Sequence, residues 1–336
     1  MAHKTRIIQC GLGPIGCKIT RFAVERPNLK IVGALDTDPR KAGRDLGELA
    51  EVSGLEGIKV TTDAKKLLGE VEADIVVLTT GSSLESVQSQ ITGIVRHGLN
   101  IVSTCEGLSY PWQTNPGVAK AIDETAKRHK ATVVGTGVNP GFLMDLLPAV
   151  MTGVCQSVRR VRVERFQNAG LRRLPFQKKV GAGLTPQQFS AKVDDGSLRH
   201  VGLTESMHMI AAKLGWTLER TEDVIKPVMA EDRLETPDLT IEPGQARGVH
   251  QIGRGWRDGD EVITLIFRAA VGEPDPRDRI LIEGDPNIDS TIKGGVHGDV
   301  ATCAITLNAI QAVLNAPPGL RTMTDIETVS CFNGAP

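Results

Sequence analysis

Arg6-Ile7-Ile8-Gln9-Cys10-Gly11-Leu12-Gly13-Pro14-Ile15-Gly16, running on through Arg26 to Lys30–Leu35, is the stretch that decides the fold. Arg6–Cys10 predicts a buried strand, Pro14–Arg26 a helix and Lys30–Leu35 a second strand. Pro suits the first turn of a helix, because its missing N–H has no partner there in any case. Three glycines, Gly11, Gly13 and Gly16, mark the passage from strand to helix. The first permits a tight turn, the second a close approach to the backbone, and the third close helix–strand packing. A strand, a crossover helix and a strand of these lengths predict two parallel neighbours.

The same alternation continues outward. Ile58–Thr61 and Asp74–Leu78 predict a third and a fourth strand, and Leu84–His97 a helix closed by Gly98. Leu99–Ser103 predicts a fifth strand. Asn115-Pro116 opens a helix that ends near His129, and Ala131–Gly135 predicts a sixth strand. Residues 1–150 are therefore expected to form an α/β domain with a Rossmann-type, doubly wound parallel sheet. Beyond residue 150 the pattern changes. Val158–Phe166, Gly248–Trp256, Glu261–Val271 and Arg279–Glu283 read as strands, and Asp258-Gly259 as a hairpin turn. Pro186–Asp194 and Gly202–Leu214 read as helices. Residues 151–298 are expected to form an α+β substrate and dimerisation domain with an open mixed sheet, helices on one face. The apolar helix Asp299–Leu314 is expected to pack back on the first domain, which 299–336 would complete.

Bulk composition removes several classes. The chain has 336 residues, 40% hydrophobic and 24% charged, with a net charge of -1 and 3% aromatic residues. Nothing here favours nucleic acid or an acidic membrane surface. No apolar run reaches the length of a membrane span, and Met1–Arg6 carries no apolar signal segment. The six cysteines include no Cys-x-x-Cys pair, so neither a zinc site nor a disulfide framework is indicated. A reduced, cytoplasmic protein without a metal is the expectation.

A glycine turn in this context predicts a dinucleotide, its pyrophosphate at the helix N-terminus, with Gly11, Gly13, Pro14, Ile15 and Gly16 around it. Asp36 ends the second strand, 20 residues after Gly16, where an acid meets the ribose hydroxyls of NAD; a turn-forming Asp before Pro39 is the plainer alternative. Arg40, with Lys41, can hold a 2′-phosphate, so the expected cofactor is NAD or NADP. Thr80, Gly81 and Ser82 follow the fourth strand, beside the nicotinamide ribose or simply as a helix cap. Ligands of open α/β sheets lie beyond the carboxyl ends of the strands. There the fifth strand runs into Ser103–Trp112 and the sixth into Gly135–Phe142. Glu106 is the carboxylate of the first loop, and Tyr110 and Trp112 would shield it from water, as general acid/base work requires. Asn139 can orient a polar substrate group or serve as a turn residue before Pro140. Cys105 offers a rival, nucleophilic chemistry, but an adjacent Glu disfavours its thiolate.

Ser103–Trp112, Asn139–Met144, Arg173–Leu184, Gly294–Ala304 and Pro317–Met323 together resemble the native amine dehydrogenase and 2,4-diaminopentanoate dehydrogenase family, a relative of dihydrodipicolinate reductase. The resemblance spans nearly the whole chain. It implies reversible reductive amination, in which a ketone or aldehyde, ammonia and NAD(P)H give a primary amine. It places the catalytic carboxylate on Glu106 and active-site polar groups on Asn139 and Asn168, and it implies a homodimer. Thr302, in the Gly-Asp-x-Ala-Thr helix start, is a further substrate-side candidate. Phe166, Leu171, Phe176 and Met207 are candidate pocket walls or ordinary core. The second Glu that many members carry after the catalytic one is Gly107 here. The paired histidines and Lys-x-Asp-Ala-Pro-Ser-Gly loop of dihydrodipicolinate reductases are absent, which argues against a diacid substrate; Arg172-Arg173 and Lys178-Lys179 read as a solvated or gating segment. The alternatives are 2,4-diaminopentanoate oxidation, and a non-catalytic NAD(P) sensor that would need no Glu106.

Overall fold

The computed structural model describes residues 4–331; Met1–His3 and the last five residues, including the end of the expected 299–336 segment, lie outside them. In chain order the elements are β1 Thr5–Cys10, α1 Pro14–Val24, β2 Leu29–Leu35, α2 Leu46–Ala50, β3 Val60–Thr61, α3 Ala64–Glu70, β4 Ile75–Leu78, α4 Leu84–Val95, β5 Asn100–Ser103, α5 Pro111–Thr114, α6 Pro116–Arg128 and β6 Thr132–Gly135. There follow α7 Leu146–Met151, β7 Ser157–Asn168, α8 Leu174–Lys179, α9 Pro186–Asp194, α10 Leu203–Lys213, β8 Arg220–Met229, β9 Leu234–Glu235, β10 Thr240–Ile241, β11 Ala246–Arg257, β12 Asp260–Ala270, β13 Arg277–Asp285 and β14 Ile288–Lys293. The last are α11 Gly298–Asn308, α12 Ile310–Asn315 and β15 Gly319–Arg321.

The chain packs as two units, one formed by the chain up to Phe142 with the chain from His297 on, the other by Leu143–Val296. The first holds a seven-stranded parallel sheet in the order β15-β6-β5-β4-β1-β2-β3. The order reverses between β1 and β4, and such a reversal opens a crevice at the strands' carboxyl ends. Ile75–Leu78 are wholly buried, as expected of a central parallel strand covered on both faces. The C-terminal stretch joins this unit directly. Gly319–Arg321 pair with Thr132–Val134, and on α11 Asn308 accepts from Arg26 at 2.7 Å. The single helix expected over Asp299–Leu314 is broken at Ala309 into α11 and α12.

The second unit holds a six-stranded mixed sheet, β14-β13-β7-β12-β11-β8, in which β7 and β12 run parallel. Helices α9 and α10 lie against it. The register puts Gly253, Leu265, Val163 and Ile280 in one row across the inner face. Gly253 leaves the gap that Met207 of α10 fills, since a Cβ there would stand 3.2 Å from the Met207 methyl carbon. Met207 is therefore core, wholly buried, while Leu171 is 79% exposed. Asp258 and Gly259 both have positive φ, as the two-residue hairpin turn requires.

Candidate active site

The three glycines of the first turn differ in what they make room for. Gly11 has φ +90°, and a Cβ on it would lie 2.7 Å from the Thr79 carbonyl oxygen. A Cβ on Gly16 would lie 1.9 Å from the Gly11 carbonyl oxygen. Both are glycine because the protein touches itself there. Gly13 has φ -72°, and a Cβ on it would meet nothing within 4 Å. Neither conformation nor packing explains its missing side chain; free space for a ligand against the backbone does. Pro14 and Ile15 open α1 with no side-chain cap and no acid in the first turn, so the helix N-terminus is left for an anion. The turn is held by Gln9 Nε2 and Thr79 Oγ1, which both donate to the Gly11 carbonyl, at 2.9 and 2.8 Å. These residues fit a dinucleotide.

Asp36 follows β2 and is buried. Its Oδ2 accepts from Leu12 N–H at 2.7 Å and Lys41 Nζ at 2.8 Å, and its Oδ1 from Asp38 N–H at 2.9 Å. Burial works against the charged form, but the Lys41 ammonium and the two backbone donors outweigh it and hold the carboxyl below its ordinary range. Asp36 borders a cavity of about 250 Å³ lined also by Thr37, Thr62, Thr80 and Gln90. Thr80 Oγ1 donates to Gln90 Oε1 at 2.8 Å. Gln90, one of the polar walls, carries no sequence signal, being ten residues from its partner on an amphipathic helix. Arg40 does not reach Asp36. Its side chain is 88% exposed and bound to Asp38.

Glu106 is half-buried and opens a 3-10 turn just past β5. Gly107 ties this turn to the loop after β4: its N–H donates to the Ser82 carbonyl at 3.0 Å. A Cβ on Gly107 would stand 3.2 Å from Leu84 N and 3.3 Å from Ser82 O. A side chain at this position would need those neighbours to give by a few tenths of an ångström. The Gly107–Ser82 bond brings Ser82 beside the Glu106 turn, while the Thr80 side chain turns to Gln90. Gly135, ending β6, packs under the same turn, its Cβ position 2.6 Å from the Leu108 carbonyl carbon. Cys105 is buried in the core cluster of this unit, shielded from the electrophilic substrate a nucleophilic thiol would have to reach.

Past β6 the chain turns through Gly137 to a cis Asn139–Pro140 bond and Gly141 at φ +122°. Asn139 is buried. Thr302 Oγ1 on α11 accepts from Val138 N–H at 3.3 Å, so Thr302 and the Asn139 turn are neighbours. Asn168 lies in the other unit, at the end of β7. Its Oδ1 accepts from Gly170 N–H at 3.0 Å and Gly272 N–H at 3.1 Å, a backbone staple. Phe166 lies under Arg277, and Phe176 under Arg172, each 4.1 Å from guanidinium to ring. Among the described residues no cluster of His, Cys, Asp or Glu is placed to hold a metal, and no helix is long and apolar enough to cross a membrane.

Comparison with known proteins places this chain among amine-acting dehydrogenases. The model of the 2,4-diaminopentanoate dehydrogenase C-terminal domain matches residues 142–335, and that of the dihydrodipicolinate reductase N-terminus matches residues 5–134. The chain is 30% identical to 2,4-diaminopentanoate dehydrogenase of Acetoanaerobium sticklandii, over 99% of this chain and 96% of that one. It is 24% identical to an amine dehydrogenase of Streptomyces virginiae, over 94% of each. In fold it matches the solved amine dehydrogenase of Mycobacterium smegmatis with a TM-score of 0.85 at 24% identity, covering 98% and 97% of the two chains.

Proposed function

The chain belongs to the 2,4-diaminopentanoate dehydrogenase family, and from that premise we propose that it is an NAD(P)-dependent amine dehydrogenase. The reaction is a reversible reductive amination: a ketone or aldehyde, ammonium and NAD(P)H give a primary amine, water and NAD(P)+. The observation that carries this reading is the half-buried Glu106, placed just past β5 and tied through Gly107 to the Thr80–Ser82 loop of the dinucleotide unit.

A bound nicotinamide supplies the hydride, or accepts it in the reverse direction. Gly11, Gly13, Pro14, Ile15 and Gly16 would hold the pyrophosphate, Asp36 a ribose hydroxyl, and Thr80–Ser82 the second ribose. Glu106 manages the protons. As carboxylate it takes a proton from ammonium, because only neutral ammonia attacks a carbonyl. It returns that proton to the hydroxyl leaving the carbinolamine as water. Ionised again, it faces the cationic iminium and stabilises it electrostatically before hydride arrives. Asn139 and Thr302 are the proposed substrate-side polar groups of the dinucleotide unit. The enzyme works as a cytoplasmic homodimer.

Glu106→Gln keeps shape and removes the capacity to take up and return a proton. Turnover with amine or carbonyl should fall by about 10²–10⁴, with NAD(P)H binding unchanged. Near-native amination by the variant would falsify the assignment. The 30% identical relative favours a second reading, oxidation of 2,4-diaminopentanoate itself. Deamination rates for simple monoamines and for 2,4-diaminopentanoate at equal concentration separate the two.

A further inference from the structure

Two buried hydroxyls at the carboxyl ends of the parallel strands are left unused by the protein itself. Ser109 closes the turn that Glu106 opens, its N–H donating to the Glu106 carbonyl at 3.2 Å. Thr136 follows β6, its N–H donating to the Ser103 carbonyl at 2.8 Å. The two segments touch beside these residues: a Cβ on Gly135 would lie 2.6 Å from the Leu108 carbonyl carbon and 2.8 Å from its oxygen. Ser109 is 1% exposed and Thr136 2%. Yet among the described residues neither Ser109 Oγ nor Thr136 Oγ1 has a hydrogen-bond partner. Ser103 Oγ, by contrast, donates to the Leu78 carbonyl at 2.9 Å and accepts from Cys105 N–H at 3.1 Å. Buried hydroxyls are normally satisfied, so two orphans on adjoining loops call for a ligand small enough to reach both. Beside the Glu106 carboxylate that ligand is not an anion. Ammonium meets the requirement: each of its N–H groups is a donor, and a hydroxyl oxygen accepts with either lone pair.

Building on the amination reading above, we propose that Ser109 Oγ and Thr136 Oγ1 form an ammonium subsite, accepting two N–H bonds from the cation while another N–H points to Glu106. The hydroxyls replace water that ammonium sheds on leaving solvent. Glu106 takes one proton. The pair left on nitrogen forms the C–N bond, and the carbonyl π pair moves to oxygen. The surplus proton on nitrogen then passes to that oxygen, which becomes the carbinolamine hydroxyl.

The first readout is the KM for ammonium in reductive amination, at fixed pH with carbonyl and NAD(P)H saturating. Ser109→Ala and Thr136→Val should each raise it by about tenfold or more, as loss of a hydrogen bond to a charged group does, and leave the KM for the carbonyl within about twofold of wild type. Thr136→Ser keeps the hydroxyl and should keep the ammonium KM. The second readout needs no turnover. Ammonium chloride should raise the thermal midpoint of the wild type above its value in equal sodium chloride, and Ser109→Ala should lose that gain. In ammonium-free buffer Ser109→Ala should be at least as stable as wild type, because it removes a buried polar group that has no partner. An ammonium KM unchanged in either variant, a wild type that melts alike in the two salts, or a gain that survives in Ser109→Ala would overturn the subsite. So would a Ser109→Ala variant destabilised without ammonium, which would make the hydroxyls the seat of a structural water. No amination of any carbonyl, with the ammonium-specific gain intact, would instead sink the functional reading and leave the subsite standing.

Discussion

Gly13 and Gly16 stand three residues apart and make opposite predictions. Gly16→Ala forces a Cβ to within 1.9 Å of a backbone oxygen, so the strand–helix turn must move. Overpacking of this kind costs about 1–3 kcal/mol, readable as a lower urea midpoint. Gly13→Ala adds a methyl group where the protein has no atom within 4 Å, at an ordinary φ. Its urea midpoint should match wild type while NADH binding weakens; a stability loss equal to that of Gly16→Ala would mean that Gly13 serves packing alone. His200 gives a second prediction at this scale. Burial, with the Lys179 and Arg165 cations adding to it, pushes its imidazole down to about 3. Gln251 brackets its backbone at 2.8 and 3.0 Å, and its ring lies on Phe267 at 4.2 Å. Below pH 6.5 the unfolded chain binds this proton and the folded chain does not. Stability should therefore fall with pH, by up to about 1.4 kcal/mol per unit, until the folded value near 3 is reached. Going from pH 7 to 5 should cost the wild type up to about 2 kcal/mol more than His200→Gln; equal losses in urea titrations would refute the assignment. The glycine turn and Glu106 were legible because each is a chemical type in a telling place. The Lys41–Asp36 pair and the Gly107–Ser82 link were not, since neither spacing has a periodic signature.

The long strands the sequence revealed are those with apolar periodicity, and three of the strands it hid, β8, β14 and β15, lie at sheet edges. β8 reads Arg-Thr-Glu-Asp-Val-Ile-Lys-Pro-Val-Met and pairs with β11 alone, so charges and Pro227 are tolerated. β14 is the opposite edge and mostly exposed, and β15 has three residues. Within the second unit, β7 and β13 are joined by a charge pair that the sequence does not disclose. Arg165 Nη1 meets Asp278 Oδ1 at 2.6 Å with both side chains buried. The pair also clamps Val296: its carbonyl accepts from Arg165 Nη2 at 3.0 Å, and its N–H donates to Asp278 Oδ2 at 2.7 Å. Removing one partner strands the other charge in the interior. Asp278→Ala should cost about 3–5 kcal/mol of unfolding free energy. Replacing both, Arg165→Met with Asp278→Leu, should recover much of it; a double variant as unstable as the sum of the singles would show that the Val296 clamp, and not the stranded charge, is the larger contribution.

At the scale of the whole molecule, the alternating pattern of the first unit was legible as a parallel sheet, and the run of strands in the second as a mixed one. The face of the second sheet opposite the Leu265–Val163 row presents Ile252, Ile266, Glu164 and Arg279 in one row across β11, β12, β7 and β13. Its neighbouring row is His250, Arg268, Phe166 and Arg277. The charges are already paired within the chain: Glu164 with Arg162 at 2.9 Å and Arg277 at 2.7 Å, Arg279 with Asp289 at 2.6 Å, Arg268 with Glu273 at 2.7 Å. A face neutralised internally can meet its own copy across a two-fold axis without like-charge repulsion, as an isologous dimer requires. Ile252 is half-buried on it, an apolar position that a second copy would cover. Wild-type protein should therefore sediment at twice the 36.0 kDa chain mass. Ile252→Asp adds an unpaired acid to the face of each copy and should shift sedimentation toward the single chain while circular dichroism stays native. A dimer untouched by that substitution would move the interface elsewhere on the molecule, and a monomeric wild type would remove the dimer itself.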